Sequence, residues 1–183
     1  MKNEASLFHI RRLIFSVAVV FGVLVLFAGT SDAQRRDYMT DDEIELVREN
    51  QVLDARVTVL VRMIDRRFTA LGINVGGSKP RSSEVWGPEP TGTRLELFTD
   101  VRKLLEKAID DIDGIAERGH GPYVPEKNRD RIVPKAMDEL TKAARRYQPA
   151  LQTALKASSD EKELGAIAGA IAFCEMILES TKK

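Results

Sequence analysis

Twenty-eight basic residues offset 28 acidic ones in the 183-residue chain, a balance that gives no general attraction for nucleic acid. Cys174 is the only cysteine, which excludes an internal disulfide and leaves stability to apolar packing, for which the chain is long enough. Beyond the N-terminal segment treated next, the length suits one domain, expected over residues 34–183.

Residues 1–33 read as an export leader. Lys2, Arg11 and Arg12 make a basic start, and Leu13 to Ala28 form an apolar run broken by Ser16 and Gly22. Ser31, Asp32 and Ala33 then supply the small-x-small pattern of a cleavage site, with Gln34 as the expected mature start. The run is shorter than the ~20 residues of an unbroken span, which favours a cleaved signal peptide. Arg35 and Arg36 lie just beyond the site and weaken the charge asymmetry that orients a signal. An uncleaved inner-membrane anchor through residues 13–28 is therefore the alternative. A twin-arginine signal at Arg11-Arg12 fits less well, because the apolar region is very hydrophobic and no cofactor site explains folding before export. No cysteine stands near the cleavage site, so a lipoprotein anchor is excluded. The style of the leader points to a bacterial protein that is periplasmic or secreted.

Four segments with helical apolar spacing follow. The first, about 40–71, opens on Thr40-Asp41-Asp42-Glu43, a capping box in which the Thr hydroxyl and Glu carboxylate satisfy orphan backbone donors. Acidic residues crowd its start, and Arg62, Arg66 and Arg67 its end, as the helix dipole favours. Ile44, Val47, Val52, Leu60, Met63, Ile64, Phe68 and Leu71 mark its buried side, and Gly72 its stop. An unbroken helix here would be ~45 Å long at ~1.5 Å per residue.

A connection rich in Gly, Pro and Ser spans about residues 73–92, where bundle connections usually take ~2–8 residues. It holds Trp86, the only tryptophan, with Arg81 nearby. Either it is a crossover with Trp86 folded onto the helices as an anchor, or a loop offering Trp86 and Arg81 to a partner. Burial of Trp86 separates the two.

The second segment, about 93–118, carries the stripe Leu95, Phe98, Val101, Leu105, Ala108, Ile112 and Ile115. The loop Gly119–Pro125 follows, with His120 and Tyr123 as further candidate contact residues. The third segment, about 126–157, contains Pro134 and Pro149, and the expectation is a helix start near Pro134 and a kink or break before Pro149. The fourth, about 159–181, is introduced by Ser158 and Glu161 as a second capping box. Gly165, Ala166, Ala168, Gly169, Ala170 and Ala172 leave one flank with little bulk, suited to close packing. Its charges rule out a span. Cys174 reads as a small buried apolar residue.

Several chemical motifs are approached and missed. Asp111-Ile112-Asp113-Gly114 outlines a calcium loop, but Ile109 and His120 would fall at positions one and twelve, where acidic ligands are needed. Asp110, Asp111 and Asp113 therefore read as a solvated helix face. Gly72 to Lys79 has the outline of a phosphate loop, with the order of Lys and Ser reversed and Pro80 following. The Glu-x-x-His pairs of di-iron bundles and the Cys-x-x-Cys-His of attached haem are absent. With His120 the single histidine beyond the leader, triad chemistry lacks its base.

The sequence therefore predicts an all-α, four-helix bundle-like domain with a long crossover between its first two helices. It names no catalytic residue, metal ligand or cofactor. The expected role is non-enzymatic binding or structural association in the envelope, with a protein or small-molecule partner. An apolar patch near Trp86 and the Gly119–Pro125 loop is expected to mark that role. The alternative is a metal-free helical enzyme that stabilises charge with Arg, Lys and Glu in an interhelical pocket. Arg48, Arg56, Arg62, Arg66, Arg102 and Lys103 are the groups it would draw on.

Overall fold

A computed structural model describes residues 36–77, 86–117 and 122–181. The leader, Arg81 and His120 lie outside the described residues. The chain divides into Met1–Arg36 and Asp37–Lys183, and the described helices lie in the second unit. The described residues are all-α, with five α-helices. These are α1 Asp41–Glu49, α2 Leu53–Ala70, α3 Arg94–Glu117, α4 Arg129–Ala157 and α5 Glu161–Ser180, with a 3₁₀ turn at Glu126–Asn128 before α4.

The capping box at Thr40 forms as the sequence predicts. The Glu43 N–H donates to Thr40 Oγ1 (3.3 Å), and the Thr40 N–H donates to Glu43 Oε2 (3.0 Å). The long first helix, by contrast, breaks at Asn50–Val52. Asn50 turns out of the helix at φ −95°, ψ 77°. Its N–H and Nδ2 both donate to Leu46 O, at 3.1 and 2.8 Å, and the Gln51 side chain donates to Arg48 O. Two consecutive amide side chains thus take carbonyls that a continuing helix would need.

Val52 is extended and pairs with Tyr123 in an isolated parallel bridge. The Tyr123 N–H donates to Gln51 O (2.7 Å), and the Leu53 N–H donates to Tyr123 O (3.2 Å). The first orphan donor of α2 is therefore satisfied from the α3–α4 connection, with no side-chain cap. At its other end α2 closes as predicted. Gly72 takes φ +73°. Its N–H donates to Thr69 O (2.9 Å) and that of Ile73 to Phe68 O (2.8 Å), the paired bonds of a Schellman ending.

α4 runs unbroken through both prolines, so the break expected before Pro149 does not occur. Both prolines lie on the exposed side, while Leu140, Ala144, Tyr147 and Leu151 are buried on the other. Packing along that face bridges the two missing backbone bonds. The cap of α5 also differs from expectation. Asp160 is the N-cap and accepts from the Glu163 N–H (2.8 Å), whereas Ser158 closes the end of α4 through Ala154 O.

The four longer helices pack cyclically: α2 on α3 and α4, and α5 on α3 and α4, with little contact between α3 and α4. Phe68 and Tyr147 stack at 5.1 Å in the layer between α2 and α4. Alanines 143, 144, 166 and 170 are buried and keep α4 and α5 close. Gly169 makes room for Arg102, whose Cδ would lie 2.6 Å from an added Cβ, whereas Gly165 faces open space. Among the described helices, α1 packs on α2 alone.

Candidate functional site

The densest polar arrangement among the described residues sits where α1 meets α2. Glu43 is fully buried, and Arg66 and Arg67 are 3% and 1% exposed. Arg66 Nη1 donates to Glu43 Oε1 at 2.8 Å. Arg67 Nη1 donates to the same oxygen, and Arg67 Nη2 donates to Oε2 (2.6 Å) and to Tyr38 O (2.6 Å). One carboxylate is thus gripped by the fork of Arg67 and by a single donor from Arg66, charge-assisted bonds of the kind in which Arg holds carboxylates. Asp100 of α3 faces Arg67 Nε at 3.7 Å, and half-exposed Glu89 faces Arg66 Nε at 3.9 Å. Neither Nε donates a hydrogen bond among the described residues.

The connection ahead of α3 closes over this cluster. Arg66 Nη2 donates to Gly87 O (3.3 Å) and to Pro88 O, and its guanidinium lies 5.6 Å from the Trp86 ring centroid. Gly87, at φ +62°, lies so near Asp42 that a Cβ would sit 1.9 Å from Asp42 Oδ2. Trp86 itself is 6% exposed and belongs to the hydrophobic core. It therefore anchors the connection from inside, and its indole offers no open surface. Tyr123, by contrast, is 62% exposed on the α3–α4 connection, where its backbone bridges to Val52.

Two more charges are buried, and one of them, Asp111, departs from the sequence expectation. Asp111, read as part of a solvated face, is 5% exposed, and Arg56 Nε (2.9 Å) and Lys107 Nζ hold its carboxylate. The cations that grip it leave no calcium-loop geometry there; Asp110 and Asp113 remain exposed. Asp65 accepts from the Tyr147 hydroxyl (2.7 Å) and from Arg146 Nη1 (3.2 Å), which also donates to Val75 O (3.2 Å). Burial, and then the Asp65 charge, hold the Tyr147 hydroxyl well above its ordinary pKa. Cys174 is fully buried, and burial pushes its thiol up to about 12, which removes thiolate reactivity near neutral pH.

An apolar cleft of about 100 Å³ opens elsewhere, between the later turns of α3, the middle of α4 and the end of α5. Ile109, Ile112, Met137, Leu140, Met176 and Ile177 line it, with Asp113 and Ser180 as its polar members. Met176 is 52% exposed, a large apolar side chain presented to solvent. No Arg or Lys lines this cleft. The cations that an interhelical enzyme would use are dispersed: Arg48 pairs with Glu45, Arg56 with Asp111 and Arg66 with Glu43. Lys103 Nζ lies 5.3 Å from the Tyr38 ring centroid.

Sequence reasoning missed the Glu43 cluster because a capping residue and a basic helix end explain those residues without burial. A signal was present. Glu43 falls three and four residues before Leu46 and Val47, and Arg67 four and three after Met63 and Ile64, so each lies on its helix's apolar stripe. Among the described residues no group of His, Cys, Asp and Glu is placed to hold a metal ion, and no helix is long and apolar enough to cross a membrane. Comparison with protein-family models, with curated proteins and with solved structures gives no match.

Proposed function

We propose that this chain is an exported, non-enzymatic four-helix bundle of the bacterial cell envelope that acts by association with a partner. The cyclic packing of α2, α3, α5 and α4 supports the bundle. The basic start, apolar run and small-residue site of residues 1–33 support export. The observation that carries the association reading is the apolar cleft with half-exposed Met176 on its wall. A polarisable, unbranched methionine adapts to a range of apolar partners, and an exposed apolar concavity is the usual form of a contact site.

A photo-crosslinking residue at position 176, expressed in the native host, tests this reading. A discrete crosslinked species that disappears with Ile109→Asp is expected; uncrosslinked monomer alone would remove the cleft from consideration. Mass spectrometry of the native N-terminus tests the route. A start at Gln34 means release, and an intact Met1 means that residues 13–28 tether the bundle to the membrane.

A further inference from the structure

We propose that the seam between α3 and α5 receives one helical segment of a partner polypeptide. The segment places a carboxylate on Arg102, an apolar side chain seven residues away in the cleft, and a basic residue one turn further at Asp113. This rests on the association reading above and deepens it by stating the partner's chemistry.

Arg102 carries the argument. The other arginines withdrawn from solvent, Arg56, Arg66, Arg67 and Arg146, each hold a carboxylate. Arg102 is also partly buried, yet among the described residues it forms no ion pair, and its enclosed Nε donates to nothing. A guanidinium drawn out of water without an anion is costly. α5 nonetheless keeps a seat for it at Gly169, a helix-interior position where glycine is itself destabilising. The missing Cβ would lie 2.6 Å from Arg102 Cδ. The chain thus holds an unpaired arginine against α5 at the expense of helix stability, and a carboxylate supplied from outside relieves the unpaired charge.

Helix register joins Arg102 to the cleft. α3 and α5 run in the same direction, with Arg94 on Glu163 near their starts and Ile112 and Ile177 sharing the cleft near their ends. Arg102 and Ile109 are seven residues apart on α3, and Gly169 and Met176 seven apart on α5. Seven residues make two turns, ~10 Å, and return to nearly the same face. Arg102 on Gly169 and the Ile109 and Met176 walls of the cleft therefore mark one seam at two heights. Asp113 lines the cleft, is exposed, and forms no ion pair among the described residues. Positive charge, apolar hollow and negative charge follow in order along the seam. A helix laid in the groove repeats that spacing with the opposite charges.

The surroundings select a polypeptide. The cleft, at about 100 Å³, is far below the ~300–1,000 Å³ of small-molecule pockets. Glu106, Asp110, Asp113, Glu175 and Glu179 are exposed on the two helices. Such a face repels an anionic lipid surface, and in a two-fold pair it would meet its own charges. A basic helix carrying one acid for Arg102 meets every part of it.

The photo-crosslinking residue at position 176 in the native host, with the crosslinked peptides sequenced by mass spectrometry, tests this. The expected adduct is a polypeptide with Asp or Glu about seven residues from the crosslinked position. Arg102→Glu is expected to lower its yield at least ~10-fold, the loss of a charge-assisted contact. Lys in place of the partner's acid should restore the yield in that variant. Gly169→Ala, which displaces Arg102, should lower it in wild type. Arg62→Glu, exposed on α2, which does not touch α5, should leave it unchanged. An adduct that survives Arg102→Glu, or a partner stretch without an acid at that spacing, overturns the proposal and leaves the association reading standing. So does an adduct of lipid mass or of a second copy of this chain. Absence of any adduct overturns both. Circular dichroism checks folding, and if Arg102→Glu does not fold, Arg102→Gln decides in its place.

Discussion

α1 and α2 are neighbours in sequence and opposite in construction. α2 is held by apolar contact on two sides, with Leu53, Val57, Leu60, Met63, Ile64 and Phe68 all fully buried. α1 is held by one carboxylate between two arginines, by two apolar side chains and by Arg56 Nη1 donating to Val47 O at 3.2 Å. Apolar burial stabilises in proportion to area, at ~1.5–3 kcal/mol for a large side chain. A buried ion cluster specifies a position while contributing little net stability, because desolvation offsets the attraction. The difference teaches that a helix placed by a buried ion cluster and a helix placed by apolar contact have different free energies of release.

Six variants sharpen or break this comparison. The largest expected effect lies on the apolar side. Phe68→Ala removes a fully buried ring stacked on Tyr147 and is expected to cost ~4 kcal/mol, measured as a lower urea midpoint for the whole domain. Arg67→Met comes next, at ~3 kcal/mol, because it leaves Asp100 and part of Glu43 buried with weaker compensation. The triple change Glu43→Leu, Arg66→Met, Arg67→Met should recover the part of that loss that comes from Glu43, in the same urea titration. If the triple variant is no more stable than Arg67→Met, the charges carry net stability and the contrast between the helices fails.

Smaller effects belong to exposed positions. Gly165→Ala should raise stability by ~0.5–1 kcal/mol, since the site is helical and open. Gly169→Ala should give no such gain, because Arg102 must first move away. Thermal midpoints of the two variants, compared side by side, check this. The smallest effect is the exposed pair Lys135–Asp54, joined at 2.6 Å. The hydrogen bond from Lys135 holds the Asp54 carboxyl below its ordinary value of 3.8. A lowered native pKa adds stability that is fully present above the unfolded value and is lost as pH falls through the native one. Lys135 is 73% exposed, so the contribution is ~0.5 kcal/mol at most. Lys135→Met should flatten the urea midpoint's dependence on pH below about 4, and an unchanged slope would count against the pair.

The all-α character, the Thr40 box, the Gly72 ending and the stripe of α3 were legible because local spacing alone determines them. What escaped the sequence was decided by competition or by distance. Asn50 and Gln51 ended α1 by taking backbone carbonyls, an outcome that apolar periodicity across residues 40–71 conceals. Pro149 did not break α4, because its exposed side left the buried face of that helix continuous. Asp160 displaced Ser158 as a cap by two residues. Glu43, Arg66, Arg67 and Asp111 are buried because partners from other segments meet them; the stripe positions of Glu43 and Arg67 point to a buried face, but a single helix's pattern names no partner. Trp86 was open to two readings until its burial placed it beneath Arg66.

The backbone bridge between Val52 and Tyr123 also sets an order of events for the folding chain. The donor at the start of α2 waits for a carbonyl beyond α3, and closing so long a loop costs chain entropy before any contact rewards it. Formation of that bridge therefore belongs late on the pathway, whereas α4 and α5, joined through Ser158–Asp160 and packed along their length, have the local contacts that form early. A chain emerging from its N-terminus leaves the first donor of α2 open until Tyr123 arrives, so the start of this helix settles after a segment made later.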